Sequence, residues 1–257
     1  MKHWRWHILL FVAVYGVTLI ATLPASLVLH WVEPTLAKLP QRPQLQGVDG
    51  TLWSGRAAQV SYRGESLGEL HWQLAPWGLL LGRLNATLNL TGADGYLEGE
   101  LSTGFSGERL QLREVTGQLP ATLLKSFAPS LPVKPVGSFA VNVEEAVVEA
   151  SHLRSLEGRI IWNKGGVAAP LALEFGDLAA QFSSTADGIA GTIKDSGGPL
   201  QVTADLKLAA DGSYTLSGKS AAREGAAPAL ATSLSLLGQP DAQGVIPFRF
   251  NGRLPVR

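Results

Sequence analysis

Residues 84–91 read LNATLNLT, in which Leu84, Ala86, Leu88 and Leu90 alternate strictly with Asn85, Thr87, Asn89 and Thr91. A strand turns successive side chains to opposite faces, so this segment has one apolar and one polar face. Such a strand belongs to an antiparallel sheet that is covered on one side. The same period returns in Leu70, Trp72 and Leu74, in Phe139, Val141 and Val143, in Val202, Ala204, Leu206 and Leu208, and in Phe248 and Phe250. Turn signals punctuate these runs at Asp94-Gly95, Lys164-Gly165-Gly166, Asp187-Gly188, Gly197-Gly198 and Asp211-Gly212. Units of roughly 10–14 residues give about twelve to sixteen strands. The predicted fold is mainly β: a large curved antiparallel sheet from residue 45 to residue 257.

One stretch breaks the alternation. Residues 119–127 read LPATLLKSF, with a proline at a helix-starting position and apolar residues at Leu123, Leu124 and Phe127. Pro129, Pro132 and Pro135 follow, which predicts a short helix and a proline-rich connector over 118–135. The flanking halves, 45–117 and 136–257, share weak landmarks. Gly50, Gly68 and Trp72 precede Gly137, Gly158 and Trp162 by 87, 90 and 90 residues. Two similar β modules joined by the helix would produce this spacing. So would chance recurrence in a glycine-rich β protein, and both readings stand.

Ahead of the sheet, residues 8–29 read ILLFVAVYGVTLIATLPASLVL, twenty-two positions without a charge. A helix of that length, at about 1.5 Å per residue, covers the ~30 Å hydrocarbon core of a bilayer. Ile8, Leu9, Leu10, Phe11, Val12, Val14, Val17, Leu19, Ile20, Leu23, Leu27, Val28 and Leu29 would form the anchor. Trp4, Trp6 and Trp31 bracket it as interfacial residues do. The competing reading is a cleaved signal peptide. Such peptides carry about 7–15 apolar residues and an A-x-A site, whereas Leu19 and Leu23 occupy the positions a small residue should hold. An uncleaved single-pass anchor within 1–32 fits better, with Pro24 as a potential kink. Lys2 and Arg5 precede the span, Lys38 and Arg42 follow it, and the density of the short tail favours a cytoplasmic amino terminus. Residues 33–44, with Pro34, Pro40 and Pro43, read as an extended linker.

Composition narrows the function. Beyond Lys2 and Arg5 the chain carries nineteen basic and twenty-one acidic residues, with no basic run of the kind nucleic-acid binding needs. The absence of cysteine removes disulfides, thiolate chemistry and Cys-ligated zinc together. Only His71 and His152 lie away from the apolar segment, and both read as exposed histidines rather than ligands. Ser54, in GTLWSG, does not fit the G-x-S-x-G elbow. Glu144 and Glu145 are adjacent, so a strand would point them to opposite faces; a solvated turn is the plain reading. Asp94, Asp187, Asp195 and Asp211 sit by glycines as turn residues do, without the spacing of a calcium loop. The sequons at Asn85 and Asn89 fall mid-strand. No catalytic constellation, metal site or cofactor site emerges, so the expected role is binding or structural.

Trp53, Trp72, Trp77 and Trp162 either anchor the core or line an apolar surface. Trp77 follows Pro76 and precedes Leu79, Leu80 and Leu81 in an apolar loop run, which makes these four the first candidates for an exposed contact.

The run GVDGTLWSG over 47–55, followed by SLGELHWQLAPWGLLLGRL, resembles the type II secretion system protein N family, also called general secretion pathway protein N. The likeness rests on Gly50, Thr51, Leu52, Trp53 and Gly55, and on Leu70, Trp72, Leu74 and Pro76. It extends to the anchor, the mid-chain helix and the P-V-G-S strand at 135–138. The resemblance implies an accessory subunit in the inner membrane of Gram-negative bacteria, with a periplasmic β domain. It would serve the machine that exports folded proteins, contacting other secretion subunits and carrying no active site. An edge strand or apolar rim would make that contact. The competing class is a membrane-anchored β-groove that binds or transfers lipid, since an apolar face suits either role. A membrane-anchored hydrolase lacks a nucleophile–base pair.

Overall fold

The computed structural model describes residues 7, 11, 14–16, 18–36, 43–127, 133–150 and 152–253, with the side chains of 32–36, 80, 126 and 127 outside that description. One antiparallel sheet of 13 strands dominates it, and the strands lie side by side in sequence order. They are β1 Gln44–Gly50, β2 Ser54–Tyr62, β3 Glu65–Leu74, β4 Arg83–Thr91, β5 Tyr96–Gly104, β6 Arg109–Pro120 and β7 Lys134–Glu149. β8 His152–Ala169, β9 Leu173–Thr185, β10 Gly188–Asp195, β11 Leu200–Ala209, β12 Ser213–Ala222 and β13 Ile246–Arg253 complete it. The helices are α1 Ala25–Leu36, α2 Pro76–Leu80, α3 Leu124–Phe127, preceded by the 3₁₀ turn Ala121–Leu123, and α4 Pro228–Leu234. Among the described residues β1 pairs with β2 alone and β13 with β12 alone, so the sheet is an open meander with two edges.

The register carries the alternation across every strand. Residues directly opposite each other share a face. From β3 to β7 the apolar partners run Trp72 to Leu88, Leu70 to Leu90, Leu90 to Leu97, Ala86 to Leu101, Leu101 to Leu112 and Val115 to Val143. They continue through Val141 to Ile160, Ile160 to Ala180, Ile193 to Ala204 and Leu216 to Phe250. One apolar face therefore spans the whole sheet, and polar residues such as Asn85, Thr87, Glu98 and Glu100 occupy the other. Register shifts interrupt this pairing between Glu98 and Glu100 and between Val143 and Glu145. Glu114, opposite the first shift, holds φ 50°. Bulges bend a strand and increase its local twist, and these lie at one level of adjacent strands.

At the carboxyl end α4 covers the apolar face. Leu230 and Leu234 pack on Leu200, Val202 and Ile246, and Leu230 is 1% exposed. Pro228 starts the helix, where a missing N–H costs nothing. Asp195 closes the edge of this core. Its carboxylate is 8% exposed and pairs with Arg223 at 2.5 Å. Burial alone would push that carboxyl up, yet hydrogen bonds from the Val202 and Gly197 amides and from Arg223 hold it below its ordinary value.

Several expectations are corrected. Glu144 and Glu145 lie inside β7 rather than in a turn, and the half-buried Glu145 meets Gln111 and Arg113. The apolar loop after Pro76 is the helix α2. The connector over 118–135 is shorter than expected, because β6 continues to Pro120 and β7 begins at Lys134 and buries Pro135. Pro129 and Pro132 lie outside the described residues. The extended linker over 33–44 gives way to α1 through Leu36 and to β1 from Gln44, while 37–42, with Pro40, also fall outside the description. The landmarks of the two halves are placed differently: Gly50 and Trp72 are separated by β2, whereas Gly137 and Trp162 lie on neighbouring β7 and β8.

Candidate functional site

The residues singled out near the amino end converge on a break in helix. His7, Phe11, Val14–Gly16 and Thr18–Ala21 are helical, Thr22–Pro24 are not, and helix resumes at Ala25. One uninterrupted helix from Ile8 to Leu29 is therefore not what the described residues form. Among them no helix is long and apolar enough to cross a membrane. Ile8, Leu9, Leu10, Val12 and Val17 lie outside the description. Phe11, Val14, Leu19 and Ile20 are exposed, as are Tyr15 and Trp31. Leu23 lies within the break, and Leu27, Val28 and Leu29 belong to α1.

Pro24 explains the break. It lacks the N–H that would bond the carbonyl four residues back, and its ring collides with that carbonyl. The residue four back is Ile20, and its freed oxygen accepts a hydrogen bond from the indole Nε1–H of Trp53 at 2.8 Å. The Ile20 carbonyl also accepts from the Leu23 amide at 3.3 Å, and the Leu23 carbonyl accepts from the Leu52 amide at 2.8 Å. Pro24 also bridges Thr51 in antiparallel fashion. The turn between β1 and β2 thus takes the place of the missing helical bonds.

Each residue of GTLWSG has a part in presenting that turn. Gly50 holds φ 93°, and a Cβ there would lie 2.6 Å from the Ser54 carbonyl. The Thr51 amide donates to that carbonyl at 2.9 Å, while the Ser54 amide donates to Thr51 Oγ1 at 3.1 Å. Trp72, reaching from β3, lays its indole over Gly55 and donates through Nε1–H to the Leu52 carbonyl at 3.2 Å. A Cβ on Gly55 would come within 2.4 Å of Trp72 Cζ2, so only glycine admits the ring. The Leu74 amide donates to the Trp53 carbonyl at 2.7 Å, and Pro76 starts α2. Two short motifs some twenty residues apart are one clamp. Sequence pattern could name both motifs, but only the pairing of β2 with β3 makes them one object.

Above the clamp, α1 stands off the sheet. Ala25, Val28 and Leu29 on the helix face Leu45, Val48, Leu52, Leu70, Trp72 and Leu88 across a cavity of about 290 Å³. A second apolar cavity, about 200 Å³, continues along β3 to β6 and shares Leu70 and Leu88 with the first. A larger cavity, about 600 Å³, lies at the distant turns of β9 to β13, where Asp187, Lys207 and Asn251 mix with Ile189 and Leu208. Its mixed, open lining offers no convergent set of functional groups.

The remaining candidates are dispersed. Trp77 is 76% exposed and Leu81 80% exposed, Leu79 is half-buried, and the Leu80 side chain is outside the description. Trp77 and Leu79 lie on α2 and Leu81 is its carboxyl cap, and none of them takes part in the hydrogen bonds of the clamp. Trp162 packs at a tilt against Phe139 and meets Phe175 edge-on, its Nε1–H donating to the Val136 carbonyl at 2.9 Å. His71 pairs with Glu69 at 3.0 Å, and His152 bonds the Ala150 carbonyl. Among the described residues no three His, Cys, Asp or Glu side chains gather as a metal set would.

The fold and clamp define a class of protein: a one-sided β-meander fastened at its first turn to an apolar amino-terminal segment. Residues 41–249 match the family described as type II secretion system (T2SS), protein N, and the chain belongs to that family. Type II secretion system protein N of Vibrio cholerae serotype O1 is 30% identical over 250 residues, spanning 93% of this chain and 98% of the relative. The Aeromonas hydrophila protein of that name is 29% identical over 250 residues, 95% of this chain and 96% of the relative. The Klebsiella pneumoniae protein is 30% identical over 255 residues, 95% and 94%. No solved structure gives a significant match.

Proposed function

We propose that this chain is a non-enzymatic subunit of the type II secretion system, tethered in the inner membrane by its amino-terminal apolar segment. Its sheet lies in the periplasm and contacts another secretion component by strand addition at β13. Family membership supports the machine. The uncharged run over 8–29 supports the tether.

The observation that carries the contact is the free edge. Among the described residues β13, eight residues long, pairs on one side alone, leaving its outward-directed backbone donors and acceptors unpaired along the other. Ile246, Phe248 and Phe250 continue the apolar face, and Phe250 is 46% exposed beside Phe248, with ring centroids 5.8 Å apart. An added strand would pair with that backbone and cover Phe250. β1 is the poorer edge, because Gly47 holds φ 63° within it and the helix break bridges its end.

A photoreactive residue placed at Phe250 in the full chain, in membranes containing the secretion system, should crosslink a secretion component. The same probe at Tyr96, exposed on β5, should not. Identical products at both positions, or none from the secretion system, would refute the edge contact. Release of the chain from membranes by alkaline carbonate would refute the tether.

A further inference from the structure

We propose that the cleft between α1 and the apolar face of β1 to β6 holds an acyl chain of membrane lipid. The inference rests on the membrane tether of the preceding section and adds a ligand that family membership does not supply.

Three features specify the occupant. The first is chemistry: the cleft is lined by aliphatic side chains and the Trp72 ring, whose Nε1–H is already spent on the Leu52 carbonyl. A ligand needing a charge or a hydrogen bond finds no partner there, whereas hydrocarbon gains about 25 cal/mol for each Å² removed from water. The second is shape. The first cavity, about 290 Å³, adjoins the second, about 200 Å³, at Leu70 and Leu88, so the apolar space runs on toward Leu97 and Leu112. An apolar space that runs on in this way along the sheet suits a hydrocarbon chain.

The third feature is position. The clamp fixes the mouth of the cleft at the break that ends the apolar amino-terminal segment, through Trp53 on Ile20 and Leu52 on Leu23. Leu19 and Ile20, exposed there, would touch lipid tails. A tail leaving the bilayer at this break therefore enters an apolar cleft without crossing a polar surface.

The test uses the full chain in vesicles of phosphatidylethanolamine containing a trace of the same lipid with a photoreactive acyl chain. The expected label falls on peptides bearing Leu70 or Leu88 as well as on residues 8–21. Leu88→Trp, which fills the cleft from the sheet, should cut the Leu70 label roughly ten-fold while leaving the 8–21 label unchanged. Val28→Trp fills it from α1 and should do the same, so the outcome does not hang on one variant folding. Label confined to 8–21 would overturn the cleft and spare the tether. Absence of label from 8–21 would overturn both. Label on Leu70 that neither variant reduces would overturn the assignment to this cleft.

Discussion

Gly55→Ala is the sharpest probe of the clamp. The new Cβ would stand 2.4 Å from Trp72 Cζ2 and 2.8 Å from the Asp49 carbonyl. Neither neighbour yields freely: the indole is tied to the Leu52 carbonyl, and Asp49 is strand backbone paired with Arg56. Overpacking of this kind costs about 1–3 kcal/mol. Displacing the ring adds about 1 kcal/mol for its hydrogen bond, and replacing glycine returns about 0.5–1 kcal/mol of backbone entropy. The net destabilisation is about 1–3.5 kcal/mol. Gly104→Ala is the matched control, because nothing lies within 4 Å of its Cβ position and its φ is ordinary. It should shift stability by less than about 0.5 kcal/mol, or raise it slightly. Urea titration of the full chain in detergent, read by tryptophan emission, measures both. Equal midpoints for the two variants would refute the claim that the indole over Gly55 holds the turn in place.

Other outcomes follow from the carboxyl-terminal core and the surface. Leu230→Ala should cost about 2.5–5 kcal/mol, because the residue is 1% exposed beneath α4, while Leu236→Ala, 86% exposed, should cost almost nothing in the same titration. Arg223→Met should destabilise by about 1–3 kcal/mol, since it leaves the buried Asp195 carboxylate with backbone partners alone. The Asp195 carboxyl is held below its ordinary value of 3.8, so its contribution is complete above about pH 4 and is lost as pH falls toward the lower folded value. Asp195→Asn should accordingly show a shallower loss of stability below about pH 4 than the native chain. Trp77→Ser should leave the urea midpoint unchanged, as expected for a ring that is 76% exposed.

The amino-acid sequence by itself determined the sheet and its sidedness. Strict alternation in segments such as 84–91 has no other low-energy reading, because a period of two is a property of the extended backbone. It also marked Gly50, Trp53, Gly55 and Trp72 as notable, and it placed the uncharged run ahead of the sheet. What it could not supply was the meeting of these parts. The break at Pro24 frees the Ile20 carbonyl locally, yet the nearer of its two donors, at 2.8 Å against 3.3 Å for the Leu23 amide, lies thirty-three residues away and arrives through the β1–β2 turn. The cleft likewise requires α1 to stand over β1 to β4, and the core requires α4 to cross β11 to β13. Short-range pattern fixes which face of a strand is apolar. Which element covers that face depends on contacts distant in sequence, and those exist only once the strands are in register.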